Sequence, residues 1–275
     1  MKQVAKKAKH VIVQWRWKRL LSKYFHGHVF QQIQENSRAS LAKVEKWIDH
    51  KTLDRSVFRY GIAPGMEPLL DETIDNNITY TDIVLYLSKR LQSPIQYLEI
   101  GVSVGKNFFQ MLNGLDNTFL VGMDIEEINP VLSDWLVLED KKTWTGKSEL
   151  KKTESSLTKY SYRSNKCWYL NIDEFDEDSW NMLNGTQFNI IFSDALHDPK
   201  ALKFEFEMLQ RLNLLNPEEI LMVWDDLGGE MTNVFYEIYE ALCINYPNLK
   251  KFQFVTNGWM NLKVHNIGII TTLDL

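Results

Sequence analysis

The sequence predicts an α/β fold: a doubly wound, mostly parallel seven-stranded sheet with helices on both faces, a C-terminal antiparallel hairpin and an N-terminal helical region. Three observations predict it. From about residue 79, short apolar runs alternate with amphipathic helical stretches, the pattern left by parallel strands joined through helical crossovers. Ahead of that point the first 60 residues hold no proline and keep a helical apolar spacing. Near the C-terminus two apolar runs lie close together with only Asn257-Gly-Trp-Met and a short stretch between them, which suits a hairpin.

The helical region, residues 1–60, rests on Val11, Trp15, Leu20, Leu21, Leu41, Val44 and Ile48, which recur at near-helical intervals. Gly61, Pro64, Gly65 and Pro68 form a cluster of breakers that sets a boundary, so residues 61–275 make the second domain. Its strands are predicted at 97–100, 118–123, 167–172, 188–193 and 220–224, with the closing pair at 251–255 and 266–272. Leu202, Met208, Leu209, Leu212 and Leu215 mark an amphipathic helix that starts beside Pro199, a residue suited to a first helical turn. Residues 129–166 interrupt the pattern. This stretch is long and rich in Lys, Ser and Thr, with eight basic and two acidic side chains between 141 and 166. A polar insertion of that kind reads as a lid or binding loop, or equally as a solvated excursion.

Composition narrows the class. The 275 residues, 44% hydrophobic and 24% charged, suffice for a full globular core. Cys167 and Cys243 form no CxxC pair, so neither a disulfide framework nor a cysteine zinc site is supported. No apolar run approaches the roughly 18 residues of a membrane span, and Val11 to Val13 is too short for a signal-peptide core. The expectation is a cytoplasmic protein without a transmembrane segment. The net charge of −5 hides eight Lys or Arg and no acid in residues 1–23. The remainder is strongly acidic, which argues against nucleic acid as a partner, since such binding neutralises phosphates. The segment Trp15-Arg-Trp-Lys-Arg reads as a helix with its tryptophans on the body, or as a docking helix for a partner. The N-terminal helices are also the place for a homo-oligomer contact.

The strongest motif is Tyr97-Leu-Glu99-Ile-Gly101-Val-Ser103-Val-Gly105-Lys-Asn107, a strand that ends in a glycine turn and opens a helix. In open parallel sheets ligands bind at the strands' C-terminal edge, where glycines admit close backbone approach. The spacing ExGxxxG lacks the closely spaced first glycine pair of GxGxxG and so speaks against a nicotinamide or flavin enzyme. The next strand ends at Asp124, 19 residues beyond Gly105, near the spacing of a ribose-binding carboxylate. A simple capping aspartate is the plainer reading of the same residue.

At these residues the sequence resembles the class I S-adenosylmethionine-dependent methyltransferases, over roughly residues 79–275. The resemblance implies that Glu99, Gly101, Ser103, Gly105 and Asn107 surround the methionine end of the cofactor, with Asp124 at its ribose and Asp173 near its adenine. Asp173 belongs to an acidic run through Asp178 that also suits a solvated helix start.

A second constellation lies in Phe192-Ser-Asp194-Ala-Leu-His197-Asp198 and Trp224-Asp225-Asp226, at the ends of the fourth and fifth predicted strands. If those strands are neighbours, three carboxylates converge and repel one another unless a cation sits among them. A hard divalent ion such as Mg²⁺ would answer that. The pattern is similar to the metal-dependent O-methyltransferases of the catechol and macrolide-sugar types, with the histidine closer to the sugar-modifying type. That likeness implies Asp194, Asp225 and Asp226 as metal ligands and His197 as catalytic base. The plainer readings are a cofactor contact for Asp194, a helix cap for Asp225 or Asp226 and a loop hydrogen bond for His197. Trp168, Trp224 and Trp259 read as core or as pocket walls. The function expected is methyl transfer from S-adenosylmethionine to a small-molecule hydroxyl with a divalent cation. The alternatives are a metal-free N- or O-methyltransferase and a non-catalytic subunit that docks a partner through its basic N-terminal helix.

Overall fold

The computed structural model describes residues 20–49, 58–72, 74–146, 154–258 and 264–275. Val11, Trp15, the Trp15-to-Arg19 segment, most of the basic tail and Trp259 lie outside the described residues. Among the described residues nine strands form one sheet: β1 (Gln96–Ile100), β2 (Phe119–Asp124), β3 (Val137–Trp144), β4 (Ser155–Tyr162), β5 (Asn165–Asn171), β6 (Ile190–Ser193), β7 (Leu221–Trp224), β8 (Lys250–Asn257) and β9 (Val264–Thr271). The longer helices are α1 (His28–Leu41), α2 (Tyr80–Ser88), α3 (Lys106–Gly114), α4 (Pro199–Arg211) and α5 (Glu230–Leu242).

The sheet order is β3-β4-β5-β2-β1-β6-β7-β9-β8. The five central strands, β5-β2-β1-β6-β7, run parallel. Antiparallel strands flank them on both sides, β4 and β3 beyond β5 and β9 and β8 beyond β7. The sheet is therefore mixed and nine-stranded, where seven strands are expected from sequence. The two additional strands come from the 129–166 stretch. β4 reads Ser-Ser-Leu-Thr-Lys-Tyr-Ser-Tyr; its serines and lysine look loop-like, yet Thr and Tyr favour a pleated surface and Leu157, Tyr160 and Tyr162 are buried. β3 occupies the sheet edge with Val137 and Leu138 exposed.

Alternate residues of the parallel strands feed two separate cores. Tyr97, Leu120, Tyr169, Phe192 and Val223 pack with α1, α2 and α3 through Phe30, Ile83, Val84, Phe108 and Phe109. Leu98, Ile100, Val121, Ile191 and Met222 pack with α4 and α5 through Leu202, Met208, Val234 and Ile238. The period of two in a strand places neighbours on opposite faces, which accounts for central strands with apolar residues on both faces. Among the described residues no helix is long and apolar enough to cross a membrane.

Local signals start the helices. Thr79 caps α2 in a reciprocal box with Asp82, and Asp198 caps α4 with Pro199 in its first turn. Asp82, fully buried, also receives two hydrogen bonds from the Arg38 guanidinium of α1, at 2.8 and 2.7 Å. Arg38 donates as well to the carbonyls of Asn77 and Asp75, at 2.8 and 3.1 Å. This clamp joins the N-terminal helix to the body. Arg38→Met strands a buried carboxylate and is expected to lower the unfolding free energy by about 3 kcal/mol, read from urea denaturation; a loss below about 1 kcal/mol would show that the clamp behaves like a surface pair.

Candidate functional site

The parallel strands end together on one edge, and a cavity of about 290 Å³ opens there over the ends of β1, β2, β5 and β6. Of the residues singled out from sequence, Gly101, Ser103, Asp124, Asp173 and Asp194 line it. Phe58, Tyr60 and Gly61, from the segment joining the N-terminal region to the body, form part of the wall. Nothing in the local sequence marks them, because their place there depends on a long-range contact. Ser103 has φ 56, and its hydroxyl donates to the Tyr60 carbonyl at 2.5 Å, while Tyr60 itself has φ 54.

Asp124 performs the local fastening. Its Oδ2 accepts the backbone N–H groups of Val102 and Ser103, each at 2.8 Å, and its Oδ1 accepts that of Glu126 at 2.8 Å. A carboxylate has about four lone-pair sites, so one is left for a hydroxyl entering the cavity. Burial pushes its pKa up, against the pull of those three N–H donors.

Gly101 is required for a reason other than ligand approach. At φ +86, a Cβ there would meet the backbone of Asp194 and Ala195 at 2.5 Å. The glycine admits the loop that follows β6, so a larger side chain displaces that loop as well as narrowing the cavity. Glu99, Gly105 and Asn107 do not line the cavity. Glu99 is buried and accepts from the Tyr97 hydroxyl at 2.5 Å and the Asn107 amide at 2.9 Å, and Thr81 donates to Asn107 at 2.6 Å. Burial holds the Glu99 carboxyl well above the usual range. Gly105 opens α3 at φ 89, with Leu132 where its Cβ would stand. Trp224 is core, and Trp168 packs edge-on against Phe119. The described residues of the 129–166 stretch line no part of this cavity; they supply β3, β4 and the start of β5.

The acidic run after β5 divides. Asp173 lines the cavity and accepts the Phe175 N–H at 3.0 Å. Asp176 turns away to accept from Ser179 at 2.7 Å. Glu174, also on the wall, stands beside Glu205 of α4, and each keeps one buried oxygen without a partner. Burial pushes Glu174 up to about 7 and raises Glu205 well above its ordinary value, with the Glu174 charge adding to the latter.

Beside the cavity, the ends of β6 and β7 carry an acid–imidazole cluster. His197 Nε2 lies 3.0 Å from Asp194 Oδ1, and its Nδ1 lies 3.6 Å from Asp226 Oδ2. His265 Nδ1 lies 2.7 Å from Asp225 Oδ2 and 3.4 Å from Asp226 Oδ1. Burial, then the charge of Asp225, pushes Asp194 up to about 7. The hydrogen bond to Asp194 raises His197. Burial pulls His265 down, but its hydrogen bond to Asp225 and the surrounding carboxylates outweigh it and its pKa is raised. The expected carboxylates do converge, and two histidines offset their repulsion. Among the described residues, Asp225, Asp226 and His265 are the one trio of His, Cys, Asp or Glu whose donor atoms all lie within 4.8 Å of one another. Two carboxylate oxygens and an imidazole nitrogen suit a divalent cation. Asp194 reaches this group through His197. Sequence reasoning missed His265, a lone histidine in the closing strand that only the sheet brings to the site.

No protein-family model matches the sequence, and a search of curated proteins returns no relative. Solved structures do resemble the fold. An O-methyltransferase from Bacillus cereus in complex with SAH aligns at 13% identity and TM-score 0.44, over 93% of this chain and 98% of that one. The O-methyltransferase TomG from Streptomyces achromogenes, involved in tomaymycin synthesis and in complex with SAM, aligns at 13% identity and TM-score 0.43, over 94% and 97%. An rRNA methylase from Streptococcus thermophilus aligns at 10% identity and TM-score 0.41, over 70% and 94%. Identities and scores this low assign no function to this chain.

The Glu174–Glu205 pair sets a pH dependence of stability. Both pKa values are raised, so the native state keeps protons that the unfolded chain releases near pH 4.3. Their contribution is full below about pH 4.3 and is lost as pH climbs through about 7. Glu205→Gln removes one charge from the pair and is expected to raise Tm at pH 8 by roughly 2–4 °C, with a smaller gain at pH 5. Identical melting profiles for variant and wild type across that range would overturn the assignment.

Proposed function

We propose that this protein transfers a methyl group from S-adenosylmethionine to a hydroxyl of a small-molecule acceptor, assisted by a divalent cation. The observation that carries the reading is the place of Asp194, which lines the cavity and at the same time holds His197 of the acid–imidazole cluster. A nucleoside site and a proton-transfer site thereby share a wall. The sheet order and the glycine turn with its Asp124 anchor also agree with the methyltransferase resemblance in the sequence.

When bound, S-adenosylmethionine supplies an electrophilic sulfonium methyl and a divalent cation supplies charge that favours an alkoxide. The chain's own residues do the rest. Asp124 offers its remaining lone pair to a sugar hydroxyl, and Asp173 and Glu174 present acceptors at the β5 end for an exocyclic amine. Ile100, Met123, Ile172, Phe175 and Leu196 give the cavity apolar walls that exclude water from a planar base. His197 accepts the acceptor's hydroxyl proton at Nδ1; Asp194 orients the ring by accepting the Nε2 N–H, and Asp194 and Asp226 stabilise the imidazolium that forms. The strongly acidic body favours a small molecule over a polyanion as acceptor.

A second reading, metal-free methyl transfer, is favoured by one observation: the two histidines already offset the charge of the converging carboxylates. A chelator separates the two. Turnover is expected to stop in excess chelator and to return on adding a divalent cation, and full activity in chelator leaves the metal-free reading. His197→Ala is expected to lose roughly 10²-fold or more in kcat with cofactor affinity unchanged by calorimetry. Failure of S-adenosylmethionine to bind the wild-type protein in the same calorimeter would overturn the methyltransferase reading as a whole.

A further inference from the structure

We propose that His265 is a nitrogen ligand of the divalent cation, through Nδ1, beside one carboxylate oxygen each of Asp225 and Asp226. The proposal rests on the metal-assisted reading above and specifies its ligand set. Three features of the structure lead to it.

The first is topology. β9 pairs antiparallel with β7, with Trp224 opposite Gly268. Residues preceding Gly268 therefore run on past the C-terminal end of β7, alongside Asp225 and Asp226. The Leu227 N–H donates to the Asn266 carbonyl at 2.8 Å and continues that pairing beyond the strand. His265 is delivered to the carboxylate pair by the same ladder that closes the sheet.

The second is geometry. Ligands at about 2.1 Å from one ion, at right angles, lie about 3.0 Å apart. His265 Nδ1 is 2.7 Å from Asp225 Oδ2 and 3.4 Å from Asp226 Oδ1, which brackets that spacing. Asp225 Oδ1 is engaged by the Asp226 N–H at 2.8 Å, so Oδ2 is the oxygen turned toward the histidine. Tyr80 holds the imidazole edge-on, with ring centroids 5.7 Å apart and planes at 80°. The other ring nitrogen faces Gly258, where a Cβ would approach it at 2.6 Å, so Nδ1 is the nitrogen presented to the carboxylates.

The third is the position of Asp194. His197 contacts both Asp194 Oδ1 and Asp226 Oδ2, so an imidazole bridges these two carboxylates. Asp194 orients the base, and His265 takes the third ligand position that the sequence assigns to Asp194. An imidazole nitrogen beside two oxygens also shifts preference from Mg²⁺ toward first-row ions such as Fe²⁺ and Zn²⁺, and Mn²⁺, which accepts both donor types, serves as the paramagnetic probe.

The test is Mn²⁺ bound to the full-length protein, read by electron spin-echo envelope modulation alongside a binding titration. Wild-type protein is expected to show ¹⁴N coupling from a directly ligated imidazole, replaced by ¹⁵N coupling after histidine labelling. The coupling persists in His197→Gln and disappears in His265→Gln, whose Mn²⁺ Kd weakens by at least about 10-fold, the lower end of what even an outer-shell partner contributes. If His265→Gln does not fold, the spectra of wild type and His197→Gln decide the matter alone. Mn²⁺ bound without nitrogen coupling overturns the His265 assignment and leaves the metal-assisted reading standing, as does coupling that vanishes in His197→Gln. No Mn²⁺ binding at all overturns both.

Discussion

The carboxylate of Asp124 gathers the N–H groups of Val102, Ser103 and Glu126 at the point where β1 and β2 leave the sheet. Unpaired backbone donors buried at a strand end are costly, and one ionised acceptor satisfies three of them. The rest of the site follows from that fixed turn. Ser103 is held at positive φ with its hydroxyl on the Tyr60 carbonyl, which brings residues 58–61 over the strand ends as a wall. On the other side Gly101 has no side chain to keep the loop after β6 away, so Asp194 comes to the same cavity.

Two groups of wholly or partly buried acids meet their desolvation cost in different ways. Among the described residues neither Glu174 nor Glu205 forms an ion pair, and burial keeps their protons on. Asp225 and Asp226 stand against His265, and Asp194 against His197, so imidazoles provide charge compensation. Glu174 also holds a proton near neutral pH, but only the second arrangement adds imidazole nitrogens to its carboxylate oxygens, which is why the proposed chemistry lies at the β6–β7 end rather than at the acidic run after β5.

The additional hairpin of β3 and β4 alters the sheet without altering this edge. It lengthens the sheet beyond β5 by antiparallel pairing, and its described residues stay off the cavity wall. The exposed apolar residues at the start of β3 lie on an open edge, and the register shift between Leu138 and Asp140 interrupts the ladder there, a device that makes an edge a poorer template for further pairing.

What the sequence by itself determined is local in origin. The apolar runs specify the central strands because a strand buried on both faces needs no polar alternation. Thr79 with Asp82 and Asp198 with Pro199 specify helix starts because the capping groups lie within one turn. The convergence of Asp194, His197, Asp225 and Asp226 was legible because neighbouring parallel strands present their C-terminal ends to one edge. The tertiary structure decided the rest. It turned a Ser- and Lys-rich insertion into sheet, because cross-strand packing of Thr and Tyr outweighs average polarity. It placed Glu99 and Asn107 in a buried network away from the cavity, brought Tyr60 to the wall, and carried His265 to the acids. Those placements depend on contacts between residues far apart in the chain, and no local propensity or spacing encodes such a distance.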